Sequence, residues 1–308
     1  MRLSLAFTVP SLLVACGGDD TTTMADAAEN GFVPPGVTLK ANMEVSADVW
    51  QEIGPADLSC LGTPSSDPAT TQDITLTTKV TDFQSGNAVP GTMVTAFPGI
   101  TYMSPFAGTP VTADSMAMVS IVIPTGTKRY GFQMVNTTSA LPTFLLNQIV
   151  DPANVTNRMT MDPSKIQSVS KVTAATLNAL IGQTRIEGTG VVAGALRDCQ
   201  KHEISGFIAT VSSTPATATS IPGGEAYYFD AAVGLPVRHN QQAYASADGL
   251  YMIIQLPATN PKGYVQMWGF PTDADLAKGM TGLKLISELE VPILGDNVIT
   301  GSYEPLRL

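Results

Sequence analysis

Apolar and polar positions alternate through most of the chain after residue 72. In ITLTTKVTDFQSGNAVPGTMVTAF, residues 74–97, Ile74, Leu76, Val80, Met93 and Val94 lie in Thr-rich, β-branched runs. Asp82-Phe83-Gln84-Ser85-Gly86-Asn87 separates the two runs. That pattern predicts strand, turn, strand, with Gly and Asn supplying the turn backbone. Ala113-Asp114-Ser115 then leads into a strand stopped by Pro124, and residues 128–135 and 142–150 predict two more. Short strands at this spacing indicate an all-β sandwich.

Helical spacing replaces alternation between Ser164 and Gly182, where Ile166, Val169, Val172, Leu177, Leu180 and Ile181 recur. One amphipathic helix is predicted there, with Ser170 or Thr173 as its cap and Gly182 at its end. The alternating pattern restarts at residues 190–196, with return strands at 204–211 and 226–229. Ala247-Asp248-Gly249 introduces LYMIIQLP, and 263–270 follows. Asp82 and Gly91 correspond to Asp198 and Gly206, and the Ala113–Pro124 unit corresponds to Ala247–Pro257. A repeated β unit of this size predicts two sandwiches rather than one barrel. The expected division is 1–15 leader, 16–55 tether and extended lead-in, 56–160 first sandwich, 161–187 helical linker, and 188–308 second sandwich.

Composition narrows the function. The 308 residues are 44% hydrophobic but only 14% charged, enough apolar surface for a buried core. The excess of 26 acidic over 16 basic residues gives a net charge of −10, which repels phosphate backbones and argues against nucleic-acid binding.

The chain starts MRLSLAFTVPSLLVAC. Arg2 is followed by a mostly apolar run of thirteen residues, Leu3 to Ala15. This is short of the roughly 20 residues that span a bilayer but fits an export signal. Its end, Leu13-Val14-Ala15-Cys16 before Gly17-Gly18, resembles the lipobox of bacterial lipoproteins. The resemblance implies loss of residues 1–15, acylation of Cys16 (palmitate among the acyl chains), and the membrane as partner. Gly17 rather than Asp after the cysteine implies the outer membrane. Each buried methylene contributes roughly 0.8 kcal/mol, so several acyl chains anchor effectively permanently.

With Cys16 acylated, Cys60 and Cys199 remain as an even pair in an oxidising compartment. A Cys60–Cys199 disulfide is the natural inference, and two buried free thiols are the alternative. Zinc needs closer ligand spacing than these cysteines and His202 and His239 offer. No Gly-x-Ser-x-Gly elbow or phosphate-binding loop occurs. Lys201-His202-Glu203 opens like a zinc-protease helix, but Gly206 stands where the second histidine is needed. Asp273-Ala274-Asp275 lacks the Gly and bidentate Glu of a calcium loop and reads as a helix cap.

In each half a strand, an Asp turn, a Gly-containing return and an Ala-Asp turn precede a proline-closed strand. Val191, Asp198, Ile204, Gly206, Asp248, Gly249, Tyr251 and Pro257 carry this most clearly. The pattern resembles the carboxypeptidase regulatory-like domain, a transthyretin-like β-sandwich of the Ig-like class. The first half departs from it, with Ser115 where Gly is usual and Met116 to Met118 replacing the aromatic. The whole chain resembles surface lipoproteins of a myxobacterial type, in which Trp50 and Cys60-Leu61-Gly62 precede the first sandwich. The resemblance implies a scaffold without catalysis, cofactor or metal: a cell-envelope binding or structural protein. Two alternatives accompany it. Tyr264 and Trp268 in GYVQMWGF could form a sugar-stacking platform of a carbohydrate-binding module. Transthyretin-like relatives also include iron dioxygenases with two Tyr and two His ligands, which here would require His202 and His239.

Overall fold

The computed structural model describes residues 33–47, 49–150, 166–217, 224–259 and 262–307. Cys16, the tether after it, and Ser164 at the expected helix start lie outside the described residues. A hairpin of β1 (Lys40–Ser46) and β2 (Val49–Pro55) comes first. The first half contains β3 (Ile74–Asp82), β4 (Met93–Pro98), β5 (Val111–Thr112), β6 (Met118–Ile123), β7 (Arg129–Val135), β8 (Ala140–Leu141), β9 (Thr143–Ile149) and β10 (Ile166–Ser170). After the helix α1 (Lys171–Leu180) come β11 (Thr189–Leu196), β12 (Glu203–Ser205), β13 (Ile208–Ser212), β14 (Glu225–Asp230), β15 (Leu235–Pro236), β16 (Leu250–Pro257) and β17 (Lys262–Gly269). A single-turn helix α2 (Asp273–Leu276), β18 (Lys284–Pro292) and β19 (Val298–Tyr303) complete it. The protein is mainly β, built as packed sheets.

The internal repeat is visible in the pairing. β3 pairs antiparallel with β6 and parallel with β10; β11 pairs antiparallel with β16 and parallel with β19. In the opposing layer, β7 joins β4 to β9 as β17 joins β13 to β18. Alternation makes these strands: in β3, Ile74, Leu76 and Val80 are buried while Thr75 and Lys79 are exposed.

The two sandwiches are fused. β19 runs parallel to β9, so strands of both halves form one nine-stranded sheet, β15-β14-β16-β11-β19-β9-β7-β4-β5. The halves build their cores on opposite faces of it. Val94, Ala96, Phe132 and Met134 face the first core, with Ile74 and Ile121 of the β6-β3-β10-β8 sheet. Phe97, Phe144 and Leu146 face the other way, into the second core with Val265, Met267 and Ile286 of the β13-β17-β18 sheet. Ala96 and Phe97 are adjacent residues serving different cores, as the period of two requires.

Three expectations change. Ile166–Ser170 is a strand, not the first turns of the helix; it pairs with β3 and β8, and these ladders override the local helical spacing. A boundary at residue 160 therefore leaves β10 in the linker although it completes the first sandwich. Within the helix, Val172 is 76% and Leu180 41% exposed, so the buried face is carried by Thr173, Leu177 and Asn178 instead. Finally, the lead-in belongs to the second half: β1 pairs with β12, Leu39 N–H donates to the Phe270 carbonyl, and Leu39 packs in the second core.

Candidate functional site

Because each half covers one face of the shared sheet, the other face of the second half needs a different cover. α1 supplies part of it. Ser170 caps the helix, its Oγ accepting from Thr173 N–H at 3.0 Å. Asp82, at the end of β3, fixes that cap: its carboxylate accepts from Ser170 N–H at 2.8 Å and from the Thr173 hydroxyl at 2.9 Å. Ser85 adds its N–H at 3.0 Å and its hydroxyl at 2.9 Å. Burial pushes the Asp82 carboxyl up, but these donors outweigh it and hold it below the ordinary carboxylate range. Ile181 packs with Tyr227, Phe229, Met252 and Ile254 of β14 and β16, and Phe83 meets Phe229 edge-to-face at 6.4 Å.

Between α1 and the sheet lies a groove of about 370 Å³. Val191, Ala193 and Ala195 of β11 form part of its floor, with Leu145 of β9 and Val298 and Thr300 of β19. Small residues on β11 keep it open. A Cβ at Gly194 would stand 2.5 Å from the Tyr303 ring, so any side chain there would force the ring or the strand to shift. Arg185, before β11, and Arg197, after it, flank the groove. Arg185 is ion-paired with Asp296, and Arg197 with Glu203 at 3.0 Å. The lining contains no carboxylate, histidine, lysine or cysteine among the described residues. Such a surface can hold an apolar segment and orient its polar ends, but offers no acid–base pair for chemistry. Neither arginine was singled out by sequence reasoning; the Ala-Gly-Ala run in β11 was the signal available.

The residues picked from sequence do not converge there. Cys60 and Cys199 form a disulfide with Cα atoms 5.8 Å apart, joining the lead-in loop to the turn after β11. Trp268 is 8% exposed in the second core, its indole N–H donating to Gln266 Oε1 at 3.3 Å, so its ring is not displayed for stacking. Tyr264 is half-buried, with the Lys262 ammonium 5.5 Å from its ring centroid. His202 approaches Asp198 with its Nδ1 3.4 Å from Oδ2, and His239 stacks on Tyr227 at 4.3 Å. Asp275 belongs to the helix cap: the Thr272 hydroxyl, with Lys284 and Lys278, lowers its carboxyl to about 2. No group of three metal-ligating side chains occurs among the described residues, and none of their helices is long and apolar enough to cross a membrane.

One buried acid stands apart. Asp248 is 3% exposed; its Oδ1 accepts from Leu250 N–H at 3.0 Å and lies 3.2 Å from the Ser246 hydroxyl, while Oδ2 is buried without a hydrogen bond. Burial, helped by the nearby Asp230 charge, pushes its carboxyl up to about 6.

No family model matches the chain, and no curated protein matches it. Among solved structures it is similar to the shaft pilin SpaA from Lactobacillus rhamnosus GG, at 12% identity over 77% of this chain and 98% of that chain, with a TM-score of 0.22. A Streptococcal ancillary pilin is similar at 12% identity over 77% of this chain and 63% of that chain, with a TM-score of 0.21. Likeness at that level carries no argument, and the sandwich architecture rests on the strand pairing itself.

Proposed function

We propose that the chain is an exported, lipid-anchored cell-envelope protein that binds or scaffolds without catalysis. The observation that carries this reading is Cys16, standing where a thirteen-residue apolar run ends and a small, polar tether begins. The Cys60–Cys199 disulfide agrees with an oxidising compartment outside the cytosol. The groove beside α1 agrees with binding rather than turnover, since its lining holds guanidinium, amide and hydroxyl groups but no nucleophile with a base beside it. In this reading the acyl chains attach the molecule to the outer membrane, the acidic tether spaces it from the surface, and the groove takes an apolar segment of an envelope component.

Intact-mass analysis of the protein purified from its own membranes tests this. The expected product begins at Cys16 and carries acyl chains; Cys16→Ser moves the protein from the membrane fraction to the soluble one. An unmodified amino terminus at Met1 overturns the proposal.

A further inference from the structure

The groove beside α1 contains a donor that the protein itself leaves unused. Arg185 lines the groove, and its Nε is buried without a hydrogen-bond partner. A guanidinium carries five N–H donors, and a buried one left unpaired is costly. The ion pair with Asp296 occupies Nη2 only. Asp296 is itself held in place: its carboxylate accepts from Gly188 N–H at 2.9 Å, and its own N–H donates to the Thr189 carbonyl at 3.0 Å. The pair therefore sits at the Thr189 end of β11. Arg197, at the other end, differs. Its Nε is taken by Glu203, and its side chain is 48% exposed against 22% for Arg185.

We propose that the groove binds one fatty acid, its carboxylate at Arg185 and its tail along β11 beneath α1. This rests on reading the groove as a binding surface, and names what that surface takes. The volume of about 370 Å³ is roughly a dozen times the share of one liquid water, room for about a dozen methylene-sized groups. That is one acyl chain, not the two of a phospholipid. Val191, Ala193 and Ala195 lie on one face of β11 and give the tail a floor about 13 Å long, with Ala174 and Leu177 of α1 also in the lining. The floor is the face of a sheet whose backbone groups are already spent on β16 and β19. A peptide's main chain would find no partners there, whereas a hydrocarbon tail needs none. Charge sets the head group. With no carboxylate in the lining among the described residues, a ligand carboxylate supplies the acceptor that the Arg185 Nε lacks.

Displacement of cis-parinaric acid fluorescence from the Cys16→Ser protein, which carries no acyl chain of its own to compete, tests this. Octanoate, decanoate and laurate should displace the probe with affinity rising about fourfold per methylene. Laurate should bind at least about tenfold more tightly than dodecanol, which has the same tail and no charge. Arg185→Gln abolishes that preference and leaves dodecanol unchanged. Asp296→Asn frees the guanidinium, keeps an acceptor for Gly188 N–H and suits the left-handed backbone there (φ 58°), so it preserves or increases the preference. Ala193→Leu fills the floor and weakens both ligands by at least about tenfold. Circular dichroism melting checks that each variant folds, and the Arg185 and Asp296 variants decide the head group whatever the fate of Ala193→Leu. Equal binding of laurate and dodecanol, or laurate binding indifferent to Arg185→Gln, overturns the fatty-acid proposal while leaving the groove a binding surface. So does an Asp296→Asn variant as impaired as Arg185→Gln, the mark of a purely structural ion pair. A folded protein that binds neither probe nor ligand overturns both the proposal and the reading of the groove beneath it.

Discussion

The two halves repeat one pairing scheme but anchor it differently. Asp82 and Asp198 both follow the first strand of their half, and both are buried, at 4% and 3% exposure. Asp82 collects donors from Ser85 and from the helix start at Ser170 and Thr173. Asp198 collects Gln200 N–H at 2.8 Å and His202 N–H at 2.9 Å from its own turn, and Asp57 N–H at 3.2 Å from the lead-in. A buried carboxylate at the end of that strand is thus a docking point for whichever segment arrives: a helix in one half, the disulfide-bearing lead-in in the other. A carboxylate needs several donors to remain buried and charged, and a distant segment can supply what the turn does not.

The largest break in this comparison should come from the disulfide, which only the second half has. Cys199→Ser is expected to lower stability by about 2–5 kcal/mol, read from denaturant unfolding. The loss should be reproduced by a reductant on the parent and be absent when reductant is added to the variant.

pH separates the halves next. Asp248 has a folded value raised to about 6 from 3.8, so its contribution is fully present below the unfolded value and is lost as pH rises through the folded one. Asp82 has a lowered folded value, so its contribution is present above 3.8 and lost as pH falls through the folded one. Stability should fall by an amount on the order of 3 kcal/mol between about pH 4 and 6 because of Asp248. Asp248→Asn should flatten that limb while leaving the acid limb, and Asp82→Asn should soften the acid limb alone. Chemical denaturation across pH 3–7 measures both.

Smaller effects test packing and capping. Gly194→Ala forces a methyl against the Tyr303 ring and should cost about 1–3 kcal/mol. Ser170→Ala removes the helix cap and should cost about 1 kcal/mol, with increased proteolysis near α1 as the local readout.

The halves also show how far a repeat can be read by eye. The strand-leading turns were aligned on Asp114 and Asp248 from sequence. In the structure the left-handed residue just before each strand is Ala117 (φ 65°) in the first half and Gly249 (φ 63°) in the second. Those two are the equivalent positions, which displaces the aspartates by two residues. Both still do the same work, Asp114 accepting from Met118 N–H at 2.8 Å and Asp248 from Leu250 N–H. A side-chain acceptor can reach the same strand start from either place, so matching letters misled where matching backbone did not.

Strands whose one face meets a core were legible because alternation is a local signal: Ile74–Asp82, Met118–Ile123 and Leu250–Pro257 lie where the pattern put them. So were the helix cap, which falls to Ser170 of the two candidates Ser170 and Thr173, and the Cys60–Cys199 disulfide, inferred over two free thiols from parity and compartment. The β1–β2 hairpin, β18 and β19 were not: β19 is defined by the distant strands β11 and β9, and the hairpin ladder is broken by two register shifts that interrupt alternation. The groove was hidden for a related reason. Its floor exists only because β19 lies beside β9, which turns one sheet into a wall shared by two cores. Residue order fixes which face of a strand is apolar; which core that face meets depends on long-range pairing, and loop-closure entropy gives such pairing no local mark in the chain.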